Sequence, residues 1–475
     1  MQWKERWFGA FSPKTVLIQP PESNEYSAIQ NTFSLTPPPT WAAILASETQ
    51  YRRNQNLRFE LIYPPQADMS DEFVKKCADS DILGLTDWFS CHKSAMQIAK
   101  RAKRINPKLI TIIGGVNAKF LAPRILKNHP YIDLIVSGDG EDVLWRVQEN
   151  HSFSSIPNLW YRDANGNVKF TYQKKVDLNE IGLWDFQDIV DSALLRDYYI
   201  ANYNPAKTAP LGVSMTRGCQ KCQGKGPCIY CTAYGKYRET APQKAYNQLK
   251  HLEWCGFKHL FETGDDFSNL AYLKSLADLR TSSDNFKLRC YANPAKINQK
   301  VAEIMAKLGI YEVFLGFETS SSAIIKIANR LSISIEEISK VIYILDNMNI
   351  SVCLPIMFGL PGETVRTAIK TANKVLEMVN KHKNIRMVLV SLAIPLVGSK
   401  WFKDLAKDNQ IVNQYNKTNN LFIDDNFDYF KLLQLSLKKE GVKISHIVSI
   451  LNQLREKLGD KADVAVGKFG AIESS

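Results

Sequence analysis

Four of the nine cysteines, Cys219, Cys222, Cys228 and Cys231, lie within thirteen residues. The Gly and Pro residues between them predict a loop. A buried structural cysteine usually has no other cysteine close by in sequence, whereas these four are near enough for their sulfur atoms to bind one metal ion or cluster. We therefore expect this loop, which follows a strand-like run at 211–216, to carry the chemistry of the protein.

Two kinds of metal site are compatible with this loop. Paired Cys-x-x-Cys turns are typical of tetrahedral zinc sites, but zinc ribbons usually separate the two turns by about a dozen residues or more. Here five residues lie between Cys222 and Cys228. An iron-sulfur cluster held by three thiolates keeps one iron open for a ligand, as catalytic metal sites do. The spacing favours the cluster and leaves one cysteine as a spare.

The residues around the cysteines resemble the motif of the radical S-adenosylmethionine (SAM) enzymes, which is Arg-Gly-Cys, a short spacer and Cys-x-aromatic-Cys. The matching residues are Arg217-Gly218-Cys219 and Cys228-Ile229-Tyr230-Cys231, and the spacer of eight residues is longer than is common in the family. The resemblance implies a [4Fe-4S] cluster on Cys219, Cys228 and Cys231, with Cys222 as the alternative first ligand. It also implies that the open iron binds SAM and reduces it to a 5'-deoxyadenosyl radical.

Length and composition predict a protein of several domains. At 475 residues, the chain exceeds the ~250–300 residues at which a single core stops growing. No apolar run approaches the ~20 residues of a transmembrane helix, and the first residues lack the apolar stretch of a secretory signal. The odd number of cysteines favours reduced thiols over a disulfide framework. We therefore expect a cytoplasmic protein with no membrane span.

The net charge of +12 and the pI near 9.1 would suit nucleic acid or an anionic membrane as a partner. However, basic and acidic residues alternate along most of the chain, and the densest basic runs, at 100–104 and 381–383, are typical of surface helices or turns. A small-molecule substrate is therefore expected rather than nucleic acid. The family resemblance adds an external one-electron reductant, such as flavodoxin or ferredoxin.

Residues 1–150 alternate between strand and helix patterns, which predicts a parallel sheet covered on both faces. The expected fold is a flavodoxin-like doubly wound domain, whose ligands bind beyond the carboxyl ends of the strands. The predicted strands are 15–18, 58–63, 81–85, 109–114 and 134–136, and the predicted helices are 41–53, 70–77, 94–106 and 119–127.

The turns at these strand ends resemble the cobalamin-binding domain that precedes the radical module in one large group of these enzymes. That domain carries Asn-Pro-Pro, a helix led by Pro-Pro, Gly-Gly-x-His and Gly-Glu-Gly-Glu, and segments 19–21, 37–39, 114–117 and 138–141 match in the same order, with Asn117 where histidine is common. The resemblance implies cobalamin contacts from Gln19, Pro20, Thr86, Trp88, Gly114, Gly115, Asn117, Gly138, Gly140 and Glu141.

Two histidines of this domain bear on how cobalt would be ligated. Neither His92 nor His129 lies in the Asp-x-His-x-x-Gly context with which some cobalamin domains bind cobalt. We therefore expect cobalamin to bind without an imidazole ligand. His92 is interpreted either as a partly exposed residue at a helix start or as a group near the corrin. A domain that keeps the fold without the cofactor is the alternative.

Segment 151–208, with a hairpin turn at 162–167, is predicted to be a linker.

Residues 209–404 then resume the alternation of strands and helices. The six strands, of which the first is near Val213, predict a partial (β/α)6 barrel. Its chemistry is expected at the carboxyl ends of the strands. Residues 405–475 are predicted to form a small helical region. The remaining strands are predicted at 259–262, 287–291, 312–316, 351–357 and 386–390.

Four strand ends of the barrel resemble segments of the same family. Segment 262–267 matches the region that contacts the methionine part of SAM, 316–321 the ribose region, 358–364 the adenine region and 394–399 the sixth-strand loop. Asp266 is also a candidate N-cap of the next helix. The resemblance implies SAM contacts from Tyr230, Glu262, Asp265, Asp266, Glu318, Ser320, Gly359, Pro361 and Gly362.

The sequence thus predicts a radical SAM enzyme that transfers a methyl group through cobalamin to an unactivated carbon or phosphorus of a small metabolite. One alternative keeps the radical without cobalamin and catalyses rearrangement, cyclisation or aminocarboxypropyl transfer. An alternative of another class is a zinc-stabilised nucleic-acid-binding protein. The residues that act on the substrate, and the substrate itself, do not follow from the sequence.

Overall fold

The structure, a computed structural model, describes residues 13–22, 40–54, 57, 59–62, 67–184, 210–232, 235–330 and 333–464. The Pro37-Pro-Pro39 segment lies outside the described residues. Two units of structure are defined by their internal contacts. The first comprises residues 1–24, 33–212 and 423–426, and the second comprises 25–32, 213–422 and 427–475.

The first unit is built on a seven-stranded sheet in the order β2-β1-β3-β4-β5-β6-β7. Strands β1 to β5 pair in parallel, and their order is that of a flavodoxin-like doubly wound domain, as predicted. Because helices cover both faces of such a sheet, its strands are almost continuously apolar and buried. The strands are β1 Thr15–Ile18, β2 Phe59–Ile62, β3 Ile82–Thr86, β4 Ile110–Gly114, β5 Leu134–Val136, β6 Leu159–Arg162 and β7 Val168–Phe170.

The helices of this unit follow β1, β2, β3, β4 and β5 in turn. The helices after β3, β4 and β5 begin shortly beyond the carboxyl end of the strand, and the helix after β2 starts at a defined cap, where the Ser70 hydroxyl accepts the Phe73 N–H. The helices are α1 Thr40–Arg53, α2 Asp71–Ala78, α3 His92–Ile105, α4 Val116–Asn128 and α5 Glu141–Gln148.

The hairpin at 162–167 forms where the sequence predicts a turn, but it extends the sheet. The Asp163 carboxylate accepts the N–H groups of Asn165 and Asn167, and Gly166 takes the positive φ of +81° that the turn requires. Strand β6 pairs antiparallel with β5, so its backbone groups satisfy an edge that would otherwise lack partners. These residues were predicted to be a linker because the strands are short and only half buried.

The second unit contains a seven-stranded sheet in the order β16-β15-β14-β13-β12-β11-β8, in which β11 to β16 pair in parallel. The six predicted strands are confirmed. The seventh, β16, was missed because three residues are too few for a periodic pattern. A separate two-stranded ladder joins β9 to β10. The strands are β8 Leu211–Val213, β9 Thr216–Arg217, β10 Arg238–Glu239, β11 His259–Glu262, β12 Lys287–Ala292, β13 Ile310–Leu315, β14 Ser351–Phe358, β15 Ile385–Leu392 and β16 Ala462–Val464.

Helices alternate with these strands, and further helices follow β15, as predicted for the carboxyl-terminal region. Side-chain caps fix several starts, including a capping box of Ser334 with Glu337. The helices are α6 Pro242–Trp254, α7 Leu270–Leu279, α8 Gln299–Leu308, α9 Ser322–Ile327, α10 Ile335–Asn347, α11 Val365–Lys381, α12 Lys400–Leu405, α13 Asn409–Tyr415, α14 Tyr429–Lys439 and α15 Ile444–Leu458. None of the helices within the described residues is long and apolar enough to cross a lipid bilayer.

A charged cluster is buried among the barrel strands. The fully buried Glu312 carboxylate lies 2.6 Å from the Nε atom of Arg289 and accepts a 3.0 Å hydrogen bond from Nη2 of Arg386. Arg289 is 2% exposed, so its charge depends on this one carboxylate within the described residues. Removing one partner of a buried ion pair leaves an uncompensated charge in a region of low polarity.

We expect Glu312→Gln to lower the free energy of unfolding by about 3 kcal/mol, because the variant keeps the shape of the side chain and removes its charge. Urea-induced unfolding followed by tryptophan fluorescence measures the change. Asp278→Asn is the matched control, since Asp278 pairs with Lys307 at an exposed position and its loss should leave the unfolding midpoint unchanged. Equal effects of the two substitutions would contradict the interpretation.

Candidate functional site

The loop that carries the four cysteines is closed at its base by the short antiparallel ladder of β9 and β10. Arg217 lies opposite Arg238, and Thr216 lies opposite Glu239. At the first residue of the loop, Gly218 has a φ of +79°, and a Cβ atom there would lie 2.9 Å from the carbonyl oxygens of Gly235 and Lys236. Only glycine fits this crossing. The loop therefore leaves and re-enters the barrel at one defined place.

Glu262, at the end of β11, fixes the strand that leads into this loop. Its fully buried carboxylate accepts hydrogen bonds from the Met215 N–H (2.8 Å), the Thr216 N–H (3.0 Å), the Thr216 hydroxyl (2.8 Å) and the Gly264 N–H (3.1 Å). Burial raises the pKa of Glu262 to about 7, although these donors oppose the shift. Glu262, predicted as a SAM contact, thus also fixes the start of the cysteine loop.

The four thiols of the loop are all reduced, and local turns bring them together in pairs. The Cys222 N–H donates to the Cys219 carbonyl at 3.0 Å, within the short 3-10 helix Gln220–Gln223, and the Cys231 N–H donates to the Cys228 carbonyl at 3.0 Å. Burial, together with the neighbouring Cys219 and Cys228, raises the pKa of Cys222 to about 11. An all-thiol donor set of this kind fits an iron-sulfur cluster.

Next to Cys228 and Cys231, three side chains form a polar chain. The Arg330 guanidinium donates to the Tyr230 hydroxyl at 3.3 Å and lies 3.0 Å from Oε1 of Glu318. Glu318 has a φ of +63°, an unusual value for a residue with a Cβ, and its backbone is held by hydrogen bonds to Pro355 and Met357 of β14. Burial raises the pKa of Glu318, and the Arg330 charge opposes that shift. The Glu318 carboxylate is therefore held in a fixed position by its strained backbone and by Arg330.

Asp266, which follows β11, is held by Lys296. Nζ of Lys296 lies 2.7 Å from the Asp266 carboxylate and also donates to the Gln220 side chain in the cysteine loop. Asp266 does not cap α7, because the Asn269 side chain accepts the first free N–H of that helix. Loss of contact with water raises the pKa of the adjacent Asp265, and the hydrogen bond from the Gly218 N–H opposes this shift. Both carboxylates thus lie beside the entry to the cysteine loop.

The predicted adenine segment forms a tight turn after β14. Gly359 and Gly362 have φ values of +90° and +81°, on either side of Pro361. The Gly359 N–H donates to the carboxylate of Glu363, whose pKa burial raises to about 7. Ser320, predicted for the ribose region, instead has its N–H and hydroxyl 3.2 and 3.1 Å from the Thr371 hydroxyl.

Three residues of this region were not predicted individually. Arg330 comes from the turn after α9, and Lys296 lies beside α8, so no motif identifies them. Glu363 lies inside the quoted adenine segment, but its role as an acceptor for the Gly359 N–H depends on the turn geometry. Arg330 and Lys296 could be identified only by asking which cations pair with the buried Glu318 and Asp266 carboxylates in the folded barrel.

In the first unit, the predicted cobalamin residues lie at the carboxyl ends of β1, β3, β4 and β5. Gly115 has a φ of +122°, and a Cβ atom there would lie 2.5 Å from the Asp87 carbonyl oxygen. The Asn117 amide lies 3.3 Å from the Asp87 carboxylate. Trp88 is 38% exposed. The other predicted residues placed at these ends are Gln19, Pro20, Thr86, Gly114, Gly138, Gly140 and Glu141.

His92 is not the partly exposed residue at a helix start that one interpretation expected. It is 2% exposed, and its Nδ1 atom lies 2.8 Å from Oδ1 of Asp87. Burial alone would lower the pKa of His92. The charges of Asp87 and Asp425 outweigh this effect and raise the pKa to about 10. The sequence gives no sign of this environment, because Asp425 comes from a remote part of the chain.

Comparisons with known proteins agree with this fold and with the cysteine loop. Residues 213–375 match the model of the radical SAM superfamily. An uncharacterised methyltransferase of Pyrococcus horikoshii is 24% identical over 417 residues, which cover 84% of each chain. A structure of the radical SAM methyltransferase TsrM from Kitasatospora setae, with tryptophan substrate and a SAM analogue bound, superposes with a TM-score of 0.65 at 13% identity and covers 86% of this chain and 77% of TsrM.

A second solved structure shares the architecture. OxsB, a cobalamin-dependent SAM radical enzyme solved with aqua-cobalamin and SAM bound, has a TM-score of 0.65 at 15% identity, over 90% of this chain and 66% of OxsB. Residues 213–375 therefore carry a radical SAM module. The amino-terminal domain resembles those of the cobalamin-binding radical SAM enzymes.

Such a module defines two cofactors and one requirement. Radical SAM enzymes use a [4Fe-4S] cluster and SAM, and they need a one-electron reductant. The zinc-stabilised nucleic-acid-binding alternative is therefore wrong, because the cysteine loop belongs to an enzyme module with a different metal chemistry.

We expect Cys228→Ala or Cys231→Ala to abolish the cluster, because a three-thiolate site cannot lose either ligand. Cys222→Ala should leave most of the iron bound, since Cys222 is surplus to three ligands. Iron content and absorbance near ~400 nm after anaerobic reconstitution report the cluster.

Cys255→Ala is the matched control for these variants, because Cys255 is buried at the end of α6 outside the loop and should not affect the iron. Loss of all iron in Cys222→Ala, with none lost in Cys219→Ala, would reverse the assignment of the first ligand.

Proposed function

We propose that this protein is a cobalamin-dependent radical SAM methyltransferase that methylates an unactivated carbon or phosphorus of a small metabolite. The observation that carries the proposal is the pairing of a barrel with a cysteine loop and a doubly wound unit whose strand ends match the cobalamin-type turns. When bound, the cluster supplies an electron for SAM cleavage, and cobalamin carries the methyl group. The protein's own residues bind and orient these groups.

In the barrel, we assign the cluster to Cys219, Cys228 and Cys231, with Cys222 as the runner-up. The residues next to these cysteines suit SAM, a charged ligand that would bind at the cluster. Tyr230 presents a ring next to two of the cysteines and is held at its hydroxyl by Arg330. We assign this ring to stacking on the adenine of SAM.

The charged side chains beside the loop provide contacts for the polar parts of SAM. Glu318 is fixed by Arg330 and by its bridge to β14, and we assign it to the ribose hydroxyls. Asp265 and Asp266, with Lys296, are assigned to the methionine part, since Lys296 already joins Asp266 to the cysteine loop. The turn at Gly359, Pro361 and Gly362 offers bare backbone to the adenine.

Two of the predicted contacts have a weaker basis. The carboxylate of Glu262 already accepts four hydrogen bonds, from Met215, from two groups of Thr216 and from Gly264, so its role toward SAM is through the loop it positions. Ser320 is engaged by Thr371 and contributes through its backbone position.

In the first unit, exposed aromatic surface at the strand ends suits a flat macrocycle. Trp88 exposes its ring at the end of β3, and Gly115 and Gly138 allow the close packing that shapes the ends of β4 and β5. Ligands of doubly wound domains bind at this edge. A methyltransferase relative and the cobalamin-dependent OxsB support the proposal that the ligand is a corrin.

The alternative within the class is radical chemistry without methyl transfer, such as rearrangement, cyclisation or aminocarboxypropyl transfer. It would hold if the first unit kept its fold and bound no corrin, since a fold does not determine a ligand. For electron supply, we propose a flavodoxin or ferredoxin as the external donor. Two experiments separate the alternatives.

We expect cobalamin to bind without imidazole ligation, because neither His92 nor His129 lies in the Asp-x-His-x-x-Gly context with which some cobalamin domains bind cobalt. Nδ1 of His92 lies 2.8 Å from Asp87, and Nδ1 of His129 lies 2.7 Å from the Tyr131 hydroxyl. Paramagnetic resonance of the Co(II) form should show no nitrogen splitting from an imidazole, and the spectrum should be the same in His129→Ala. Splitting that disappears in this variant would refute the prediction. If the protein neither retains a corrin nor needs one for turnover, the methyltransferase proposal is wrong.

With reductant, SAM and the right substrate, we expect S-adenosylhomocysteine and 5'-deoxyadenosine to rise together in about a one-to-one ratio. One SAM molecule gives up its methyl group, and a second is cleaved reductively for each methyl delivered. Chromatography of the products measures both. Without substrate, the enzyme should still form 5'-deoxyadenosine slowly, because the open iron site can bind SAM.

The same assay identifies the alternatives. A rise of 5'-deoxyadenosine alone would indicate radical chemistry without methylation, and methylthioadenosine would indicate aminocarboxypropyl transfer. Cys228→Ala is the negative control, since it should form neither 5'-deoxyadenosine nor methylated product.

A further inference from the structure

Two histidines and an aspartate of the first unit converge on one point. The ligating atoms of His92, His129 and Asp425 all lie within 4.8 Å of one another. Nε2 of His129 is 2.7 Å from Oδ2 of Asp425, and Nε2 of His92 is 3.8 Å from Oδ1 of the same carboxylate. His92 is 2% exposed, and the side chain of Asp425 is 8% exposed. The cluster is therefore largely removed from solvent.

The histidine nitrogens that face Asp425 have no hydrogen bonds in the part of the chain that the structure describes. Within the described residues, Nε2 of His92 and Nε2 of His129 are buried and have no hydrogen-bond partner. The 2.7 Å contact of Nε2 of His129 with Asp425 is close enough for an ion pair but is not aligned as a hydrogen bond. A buried polar nitrogen normally has a partner, and two such nitrogens beside one carboxylate indicate a missing ligand.

The opposite nitrogen of each ring is held from behind. Nδ1 of His92 lies 2.8 Å from the fully buried carboxylate of Asp87, and Nδ1 of His129 lies 2.7 Å from the Tyr131 hydroxyl. Histidines that bind metals almost always engage their second nitrogen with a carboxylate, carbonyl or hydroxyl, which fixes the ring and its tautomer. Both Nε2 atoms are thereby presented toward Asp425.

The third group comes from a distant part of the sequence and is also anchored. The Arg124 guanidinium donates to the Asp424 carbonyl at 3.0 Å, and the Asn128 amide donates to the Ile423 carbonyl at 3.1 Å. Both donors belong to α4, which ends just before His129. These contacts hold Asp425 beside the two rings independently of any bond to the rings themselves.

We propose that His92, His129 and Asp425 bind a divalent transition-metal ion, with Zn²⁺ as the ion whose preferences they meet best. Two imidazoles and a carboxylate form a known type of zinc ligand set and leave a fourth position for water. Tetrahedral ligands at ~2.1 Å lie about 3.4 Å apart, and the observed contacts of 2.7 and 3.8 Å lie on either side of this value. The imidazole ligands argue against Mg²⁺ or Ca²⁺, which prefer oxygen.

The charges are balanced when such an ion is present. Two neutral imidazoles with the carboxylates of Asp87 and Asp425 place two negative charges around a doubly charged cation. The three ligands are not among the residues assigned to the cluster or to cobalamin, so zinc content tests this site separately. Asp87, behind His92, also lies 3.3 Å from the amide of Asn117, a predicted cobalamin contact.

The test uses the full-length holoenzyme with its iron-sulfur cluster reconstituted, equilibrated with Zn²⁺ and passed through a weak chelator. We expect one zinc per chain, measured by elemental analysis, with X-ray absorption showing nitrogen and oxygen ligands at ~2.0–2.1 Å and no sulfur. His129→Ala and Asp425→Ala should each lose this zinc. His151→Ala should retain it, because His151 also lies 3.2 Å from a carboxylate, that of Glu149, but at an exposed position.

Two further variants guard against simple unfolding. Asp425→Asn keeps the shape of the side chain and should still lose the zinc, with the circular dichroism unchanged. Asp87→Asn removes only the carboxylate behind His92 and should weaken zinc binding about 10–100-fold, measured by chelator competition.

Three results would overturn the proposal. The first is zinc with sulfur ligands that persists in His129→Ala, which would place the ion on the cysteine loop. The second is zinc content in the wild type no higher than in Asp425→Ala. The third is full zinc retention in a folded Asp425→Asn protein.

Discussion

The cysteine loop depends on one buried carboxylate. A loop of about twenty residues has many conformations, and ordering it costs on the order of 1–2 kcal/mol per residue. Glu262 offsets part of this cost where the loop begins, because it replaces water as the acceptor for the backbone of Met215 and Thr216. Burial of this acceptor without its donors would be strongly unfavourable, so β11 and the start of the loop are ordered together.

The same principle organises the rest of the barrel opening. Two buried charges there have a partner from another element: Lys296 for Asp266, and Arg330 for Glu318. These pairs cross between strand ends and the cysteine loop, so they connect the relative positions of several short segments. A site that must hold a cluster and a nucleotide in line benefits from such fixed charges, because they need no rearrangement when the ligand arrives.

Much of the fold could be predicted from the sequence, because buried parallel strands and their helices produce strong local patterns. Strands β1 and β5 have the predicted bounds, and the six barrel strands lie where the alternation places them. Strand β16 could not be predicted, because its three residues become a strand only by pairing with β15. Short segments of this kind are decided by their neighbours in space rather than by their own composition.

The site residues divide in the same way. Cysteines and glycines in a recognisable order identify the loop and the adenine turn, but Arg330 and Lys296 act through distances that exist only after folding. Glu262 illustrates a further limit: its position was predicted, whereas its carboxylate is occupied by the backbone. A motif gives the place of a residue, and the hydrogen bonds around it decide whether it faces the ligand.

Residues 423–426 belong to the first unit, although they are encoded near the end of the chain. Domains that fold during synthesis usually do so in order from the amino terminus. Here residues 213–422 must be translated before Asp424 and Asp425 can reach α4, so the first unit acquires its last contacts only after most of the second unit has been made. The completeness of the amino-terminal unit thus reports that translation has passed residue 426.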